Sequence, residues 1–349
     1  MNVVFDKKVS KALKGFLVII MYWSHLFNHP ERLQKGIEWI SILNLKGKTI
    51  EEWMVPFFHV AVPCFFFIAG YGYFISHLNR NGTVKKQVFK LYEKYWIVFI
   101  IFVPLCAFLG KIQITPISLL LNFIGLSSSY CGEWWFLSTY VEILLVFSFT
   151  HKYIHKYNIK AKWVLMISIL FSFGGYFLNI LSAYMGMNMD NLILHEIYFF
   201  LIKQPLFVIG WCIAKEDYIN KINAFLGTIK RGLRCLIICL LFIFILIFQY
   251  VQIIPETYLY ILYLPAFVYG WALMYSKLPT ILNRFFETLG KYSTYMWLCH
   301  SILLYKLVQK YIYLPKVSII CWGNLILISF MCSVLLASIE KCLYKMTSR

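Results

Sequence analysis

Residues 11–26 read KALKGFLVIIMYWSHL, an apolar run that holds a lysine at position 14 and a histidine at position 25. In an α-helix eleven residues make three turns plus about 20°, so Lys14 and His25 point the same way, roughly 16 Å apart along the axis. A membrane helix with a cation at one end and an imidazole well inside it, on one face, is costly to bury. The arrangement suggests a polar path running into the bilayer.

The rest of the chain supports a membrane setting. Its 349 residues are 61% hydrophobic and only 14% charged, with mean hydropathy +0.71; soluble domains carry about 25% charged residues. The first apolar run has no small-residue cleavage site and is read as a span, not a removable signal. Windows of about 20 apolar residues place ten spans near 12–28, 54–76, 95–110, 134–150, 163–184, 192–213, 235–253, 257–275, 292–309 and 317–339. The expected fold is therefore all-α, a polytopic membrane protein of about ten transmembrane helices. The shorter piece 117–126 is read as a re-entrant or interfacial helix, and 37–45 can form another interfacial helix in the longest loop. No domain boundary, low-complexity stretch or repeat is visible, so 1–349 is read as one integral membrane domain.

Charge sets the orientation. Segments 1–14, 77–95, 151–162, 215–234, 276–291 and 340–349 hold 24 of the 33 Lys and Arg against 6 acids, while the opposite loops hold 8 basic residues and 7 acids. The positive-inside rule then puts both termini in the cytoplasm. The net charge of +18 is spread over six short loops with no soluble domain to present it, which excludes nucleic acid as a partner. Anionic membrane lipids account for most of these lysines, at about 1 kcal/mol each. The ten cysteines lack CxxC or zinc-ligand spacing, so neither a metal site nor a disulfide is expected.

A charge at mid-bilayer costs about 2.5–3.5 kcal/mol, which makes each intramembrane ionisable residue a functional candidate. His25, Glu142, Lys203 and His300 lie deepest; His59, His195 and Glu196 sit nearer the outer ends. His25 reads either as a histidine hydrogen-bonded to a neighbouring helix or as a neutral imidazole suited to proton abstraction from a hydroxyl near neutrality. Lys14 reads equally as a lysine snorkelling to lipid phosphate or as a phosphate contact for a molecule entering from the cytosol. Ser293 is seven residues before His300 and on the same face; catalysis, substrate positioning or an interhelical hydrogen bond would fit the pair. Glu196 and Lys203, also seven apart, read as a structural ion pair, and Glu142 as a residue that orients a histidine or lines a cavity. Tyr130, Trp134 and Trp135 cluster at one mouth, where either an interfacial aromatic belt or sugar stacking would use them.

Four stretches together resemble the acyltransferase-3 family of integral membrane acyltransferases. The first span is similar to that family's basic residue, ten-residue spacer and histidine, filled by Lys14 and His25. Residues 55–71, VPFFHVAVPCFFFIAGY, resemble its aromatic second span ending in a small residue, glycine and an aromatic. Residues 132–140, GEWWFLSTY, resemble its Trp-Phe-Leu span, and 289–300, LGKYSTYMWLCH, its Gly–Ser–Tyr–Leu–His span. Two departures stand out. Lysine replaces the usual arginine before the histidine, giving up a bidentate fork for a point charge. The family's Arg-x-x-Arg pair is replaced by lysines in 85–96, KKQVFKLYEKYW.

The resemblance implies transfer of an acyl group, by family habit acetyl, from cytosolic acyl-CoA to a hydroxyl of an extracytoplasmic, cell-surface or lipid-linked glycan. In that reading His25 and His300 are catalytic, and Lys14 with Lys86, Lys90 and Lys94 of the 85–94 loop meets the phosphates of acetyl-CoA. Glu133, Trp134, Trp135 and Ser293 bind substrate. Acyl-CoA is a donor substrate, and no bound cofactor is expected. Partners would be membrane lipids, acyl-CoA, the glycan and polysaccharide-assembly proteins, in a cell membrane whose Lys/Ile-rich chain fits a bacterium. The alternative is an exporter or flippase of a polysaccharide or lipid-linked oligosaccharide.

Overall fold

The computed structural model describes residues 4–78, 83–186, 192–230, 255–347 and the single positions Leu233, Leu236, Leu240 and Ile247. It is all-α, with helices α1 (Lys7–Phe27), α2 (Ile50–Phe58), α3 (Ala61–Leu78), α4 (Val84–Phe108), α5 (Pro116–Phe123), α6 (Trp135–Lys156), α7 (Ala161–Tyr184), α8 (Leu192–Lys215), α9 (Tyr218–Gly227), α10 (Glu256–Tyr275), α11 (Thr280–Ile302), α12 (Gln309–Ile312) and α13 (Ser318–Thr347). Among the described residues, six stretches are long and apolar enough to cross a membrane: Ile50–His77, Val84–Phe108, Ala161–Tyr184, Leu192–Lys215, Glu256–Tyr275 and Ser318–Met346. They coincide with six of the expected spans. The expected spans 12–28, 134–150 and 292–309 fall on α1, α6 and α11, which form but carry more charge: four lysines in α1, and Arg284, Glu287 and Lys291 in α11. The expected span 235–253 lies almost wholly outside the described residues.

Two local expectations are corrected. Residues 85–94 are not a loop, because α4 begins at Val84; an apolarity window misses a helical start made of Lys, Gln and Glu, which are good helix formers. Residues 37–45 form no helix. Ile40 bridges Val317 in parallel, and Asn44–Leu45 pairs with Lys48–Thr49 as a short hairpin, β1 and β2. Its turn residues Lys46 and Gly47 both have positive φ, 51° and 78°, the geometry of a type I′ turn. The hairpin runs straight into α2 through a capping box between Thr49 and Glu52.

The helices cluster into two compact units. One comprises residues 1–10, 62–84 and 138–283; the other comprises 11–61, 85–137 and 284–349. The first unit is built on α3 against α8. A Cβ on Gly70 would collide with the Phe207 carbonyl, and one on Gly210 with the Phe67 carbonyl, so the two backbones touch where both helices lack a side chain. Around that crossing Tyr73, His77, Phe147, His151, Phe207 and Trp211 pack ring against ring.

The second unit repeats the device with α1 and α11. A Cβ on Gly15 would meet the Phe286 carbonyl, and one on Gly290 the Lys11 carbonyl. Above this contact Tyr22 Oη donates to the Met296 carbonyl (2.9 Å) and Trp322 Nε1 to that of Ile19 (2.7 Å). Glu51 is fully buried; it accepts from the hydroxyls of Ser41 and Ser318, and its carbonyl accepts from Trp23 Nε1. The long loop is thereby tied to α1 and to the start of α13. The expected short helix at 117–126 exists as α5, whose last carbonyls accept from Tyr95, Trp96 and Tyr92 of α4. Those three donors satisfy groups that a helix end otherwise leaves open.

Candidate active site

Every side chain of the site belongs to the second unit. α1 runs unbroken from Lys7 to Phe27, so Lys14 and His25 do share one helix, as their spacing requires. His25 stands near its C-terminal end, where α1 stops with carbonyls to satisfy. Tyr305 Oη donates to the His25 carbonyl (2.8 Å) and Tyr313 Oη to that of Leu26 (2.8 Å). Tyr305 rides on a π-helical turn, Leu303–Leu307, that continues α11; such turns recur at functional sites because they re-aim side chains.

The His25 ring faces two partners. Its Nδ1 is buried and makes no hydrogen bond, and Glu133 Oε1 lies 3.7 Å away, within ion-pair range but beyond hydrogen-bond reach. The His300 ring lies 4.9 Å from it, centre to centre. Glu133 is fixed from the other side by Arg32, whose Nη1 donates to the same Oε1 at 2.9 Å, while the Cys131 thiol approaches Oε2 at 3.6 Å. Arg32 ends a short 3-10 turn, Pro30–Arg32, just after α1. Partial burial works against its charge, but Glu133 and Tyr305 outweigh that and hold its pKa above the usual value. Its guanidinium also stands over the Tyr305 ring at 5.3 Å.

His300 is fully buried and both of its nitrogens are engaged. Nδ1 lies 2.6 Å from the Trp297 carbonyl, so it carries the proton; Nε2 is then the acceptor for Ser301 Oγ at 3.0 Å. Tyr22 stacks on its face at 4.9 Å. Both nitrogens of His300 are thus engaged by the protein, whereas His25 has a nitrogen to spare.

The remaining predicted residues are placed as follows. Ser293 is buried and donates to the Gly290 carbonyl within α11. Trp134 is only 2% exposed; its Nε1 donates to the Leu298 carbonyl (3.0 Å) and its ring packs on Tyr95 and Phe99, a packing position instead of a stacking surface. Trp135 is partly exposed and packs edge-on to Phe136. Lys14 has no hydrogen bond or ion pair among the described residues, while Lys11 pairs with Glu287 at 3.2 Å. Lys86 and Lys90 are exposed on α4. Lys94 is already held by Glu340 and stands over the Tyr295 ring at 4.6 Å. The expected Lys203–Glu196 ion pair is absent among the described residues: Glu196 meets His195 Nδ1 at 3.2 Å, and the charge that Lys203 feels is that of Glu256.

Arg32, Tyr305, Tyr22 and Ser301 were not singled out from the sequence. Tyr22 could have been, since it stands three residues before His25 on the same helix face. Arg32 reads as an ordinary loop arginine, and nothing in the sequence links it to Glu133.

The second unit thus holds a partly buried imidazole–carboxylate pair, His25 and Glu133. The acyltransferase-3 family model, an acyltransferase domain, matches residues 10–339, and the chain belongs to that family. No curated protein and no solved structure matches it. The chain is therefore a multi-pass membrane protein of acyltransferase type.

Proposed function

We propose that the chain transfers an acetyl group from cytosolic acetyl-CoA to a hydroxyl of an extracytoplasmic or cell-surface glycan. The observation that carries this reading is the His25 imidazole, 19% exposed, facing Glu133 with one nitrogen and leaving the other free, inside a chain of this family. His25 Nε2 takes the proton of the acceptor hydroxyl as its oxygen attacks the thioester carbonyl. The C–O bond forms, the C–S bond breaks, and the proton passes from His25 to the departing CoA thiolate. General-base help of this kind contributes about 10²–10⁴ in rate.

Glu133 is assigned as the residue that holds the His25 ring and balances the imidazolium formed in the step, with Arg32 keeping the carboxylate aligned. This replaces direct glycan binding as its main role. His300, with both nitrogens spent on the protein, acts by position: its ring backs His25 and is itself backed by Tyr22. Lys14, Lys86 and Lys90 are the lysines assigned to the CoA phosphates, and Lys94 is assigned a structural role because Glu340 neutralises it. Trp135 and Ser293 remain as acceptor contacts.

The test is NMR of surface glycan from cells carrying wild-type protein, His25→Ala protein or none, with membrane levels checked by blot. O-acetyl signal with wild type alone is expected. Equal acetylation in all three, with glycan export lost without the protein, would overturn the reading in favour of an exporter.

A further inference from the structure

The first unit carries a groove that the acyl-transfer reading does not use. It lies between α6, α7 and α8, with a volume of 530 Å³, within the range of small-molecule sites. Its floor is Phe147, Ile154 and Val208, and its walls are Val146, Ile167 and Phe171. Tyr153 is exposed at its edge; the other polar residues of its lining have nothing to offer a ligand. Ser168 Oγ donates to Gln204 Oε1 and Gln204 Nε2 to the Ser168 carbonyl (2.6 Å). Thr150 Oγ1 donates back to the Val146 and Phe147 carbonyls (3.1 Å each). A groove with its polar groups spent internally accepts hydrocarbon and not water.

One end of the groove is closed by the α6–α7 connection, to which Ile159 contributes lining. That connection is unusually basic. Lys152, Lys156, Lys160 and Lys162 are all exposed, residues 151–162 contain no acid, and Lys215 Nζ donates to the Ile159 carbonyl (3.2 Å). The nearby Glu216 is taken by Lys221 at 3.7 Å. Lys156 suits the C-terminal end of α6, but Lys160 and Lys162 stand at the N-terminus of α7, which has no side-chain cap. Cations there oppose the helix dipole, and open N–H groups add to the positive potential. An anion at this spot would offset both costs.

From the apolar groove and its cationic collar we infer that this is a binding site for an anionic phospholipid, with one acyl chain in the groove and the phosphate on Lys160, Lys162 and the first turn of α7. Each lysine near an anionic headgroup contributes about 1 kcal/mol, or about fivefold in affinity. The site is independent of the acyl-transfer reading and involves none of its residues.

Native mass spectrometry of the delipidated protein, titrated with dioleoylphosphatidylglycerol and with dioleoylphosphatidylcholine, tests it. Wild type is expected to take one phosphatidylglycerol at least tenfold more tightly than phosphatidylcholine. Lys160→Ser with Lys162→Ser should weaken phosphatidylglycerol about 25-fold, two lysines at about fivefold each, and leave phosphatidylcholine unchanged. Val164→Trp, which fills the groove, should weaken both lipids at least tenfold. Leu201→Phe serves the same purpose with less bulk if circular dichroism shows that the tryptophan variant is not helical. Equal affinity of wild type for both lipids, or wild-type phosphatidylglycerol binding by a folded groove-filled variant, would overturn the inference.

Discussion

The α1–α11 contact makes a quantitative demand on Gly290. A Cβ at that position lands 1.7 Å from the Lys11 carbonyl oxygen, and non-bonded heavy atoms sit about 3.5–4.0 Å apart, so Gly290→Ala must part the helices by about 2 Å. Gly290 is ten residues before His300 and Gly15 ten before His25, so the crossing lies about 15 Å along each helix from the histidine pair. A parting there is transmitted as tilt, because neither helix has a break in between. Overpacking of this kind costs about 1–3 kcal/mol, and a reacting group displaced by about 1 Å loses about 10²-fold in rate. The expected variant inserts, unfolds at lower temperature by circular dichroism in detergent, and transfers acetyl groups about 10²-fold more slowly per mole of protein. Gly174→Ala is the control, since a Cβ there has open space around it, and it should change neither quantity. Wild-type stability and rate in Gly290→Ala would refute the idea that this contact sets the histidine geometry.

Trp134→Phe should lower the unfolding temperature, because it removes the buried hydrogen bond to the Leu298 carbonyl, worth about 0.5–1.5 kcal/mol, with KM for acceptor unchanged; a raised acceptor KM at unchanged stability would point back to a glycan contact. Glu51→Ala should cost a similar amount by stranding the buried Ser318 hydroxyl, read as earlier thermal unfolding, and an unchanged melting curve would show that the long loop is not anchored there. Tyr305→Phe removes one neutral hydrogen bond to the end of α1, about 0.5–1.5 kcal/mol, and should reduce kcat while leaving KM for acetyl-CoA alone.

The parts of this molecule that follow a helical period were readable in advance. Lys14 and His25 needed only the fixed turn of one helix, and the apolar windows found the six stretches among the described residues that are long and apolar enough to cross a membrane. What escaped was decided by neighbours remote in the chain. Glu133 and Arg32 are separated by a hundred residues and meet through α1 ending where it does, and Tyr305 reaches the His25 carbonyl only because α11 widens into a π turn. Trp134 illustrates a different limit, since belt, sugar platform and core all favour tryptophan, and burial alone separates them. Glu196 and Lys203 share a face as their spacing says, but His195 lies beside Glu196 in the chain and takes its carboxylate.

The most direct measurement is CoA release from acetyl-CoA by purified protein in liposomes, with glycan extracted from the source cells as acceptor. The account predicts acceptor-dependent release by wild type and a loss of about 10²–10⁴-fold in folded His25→Ala protein. Acceptor-dependent release at the wild-type rate in that variant would contradict it.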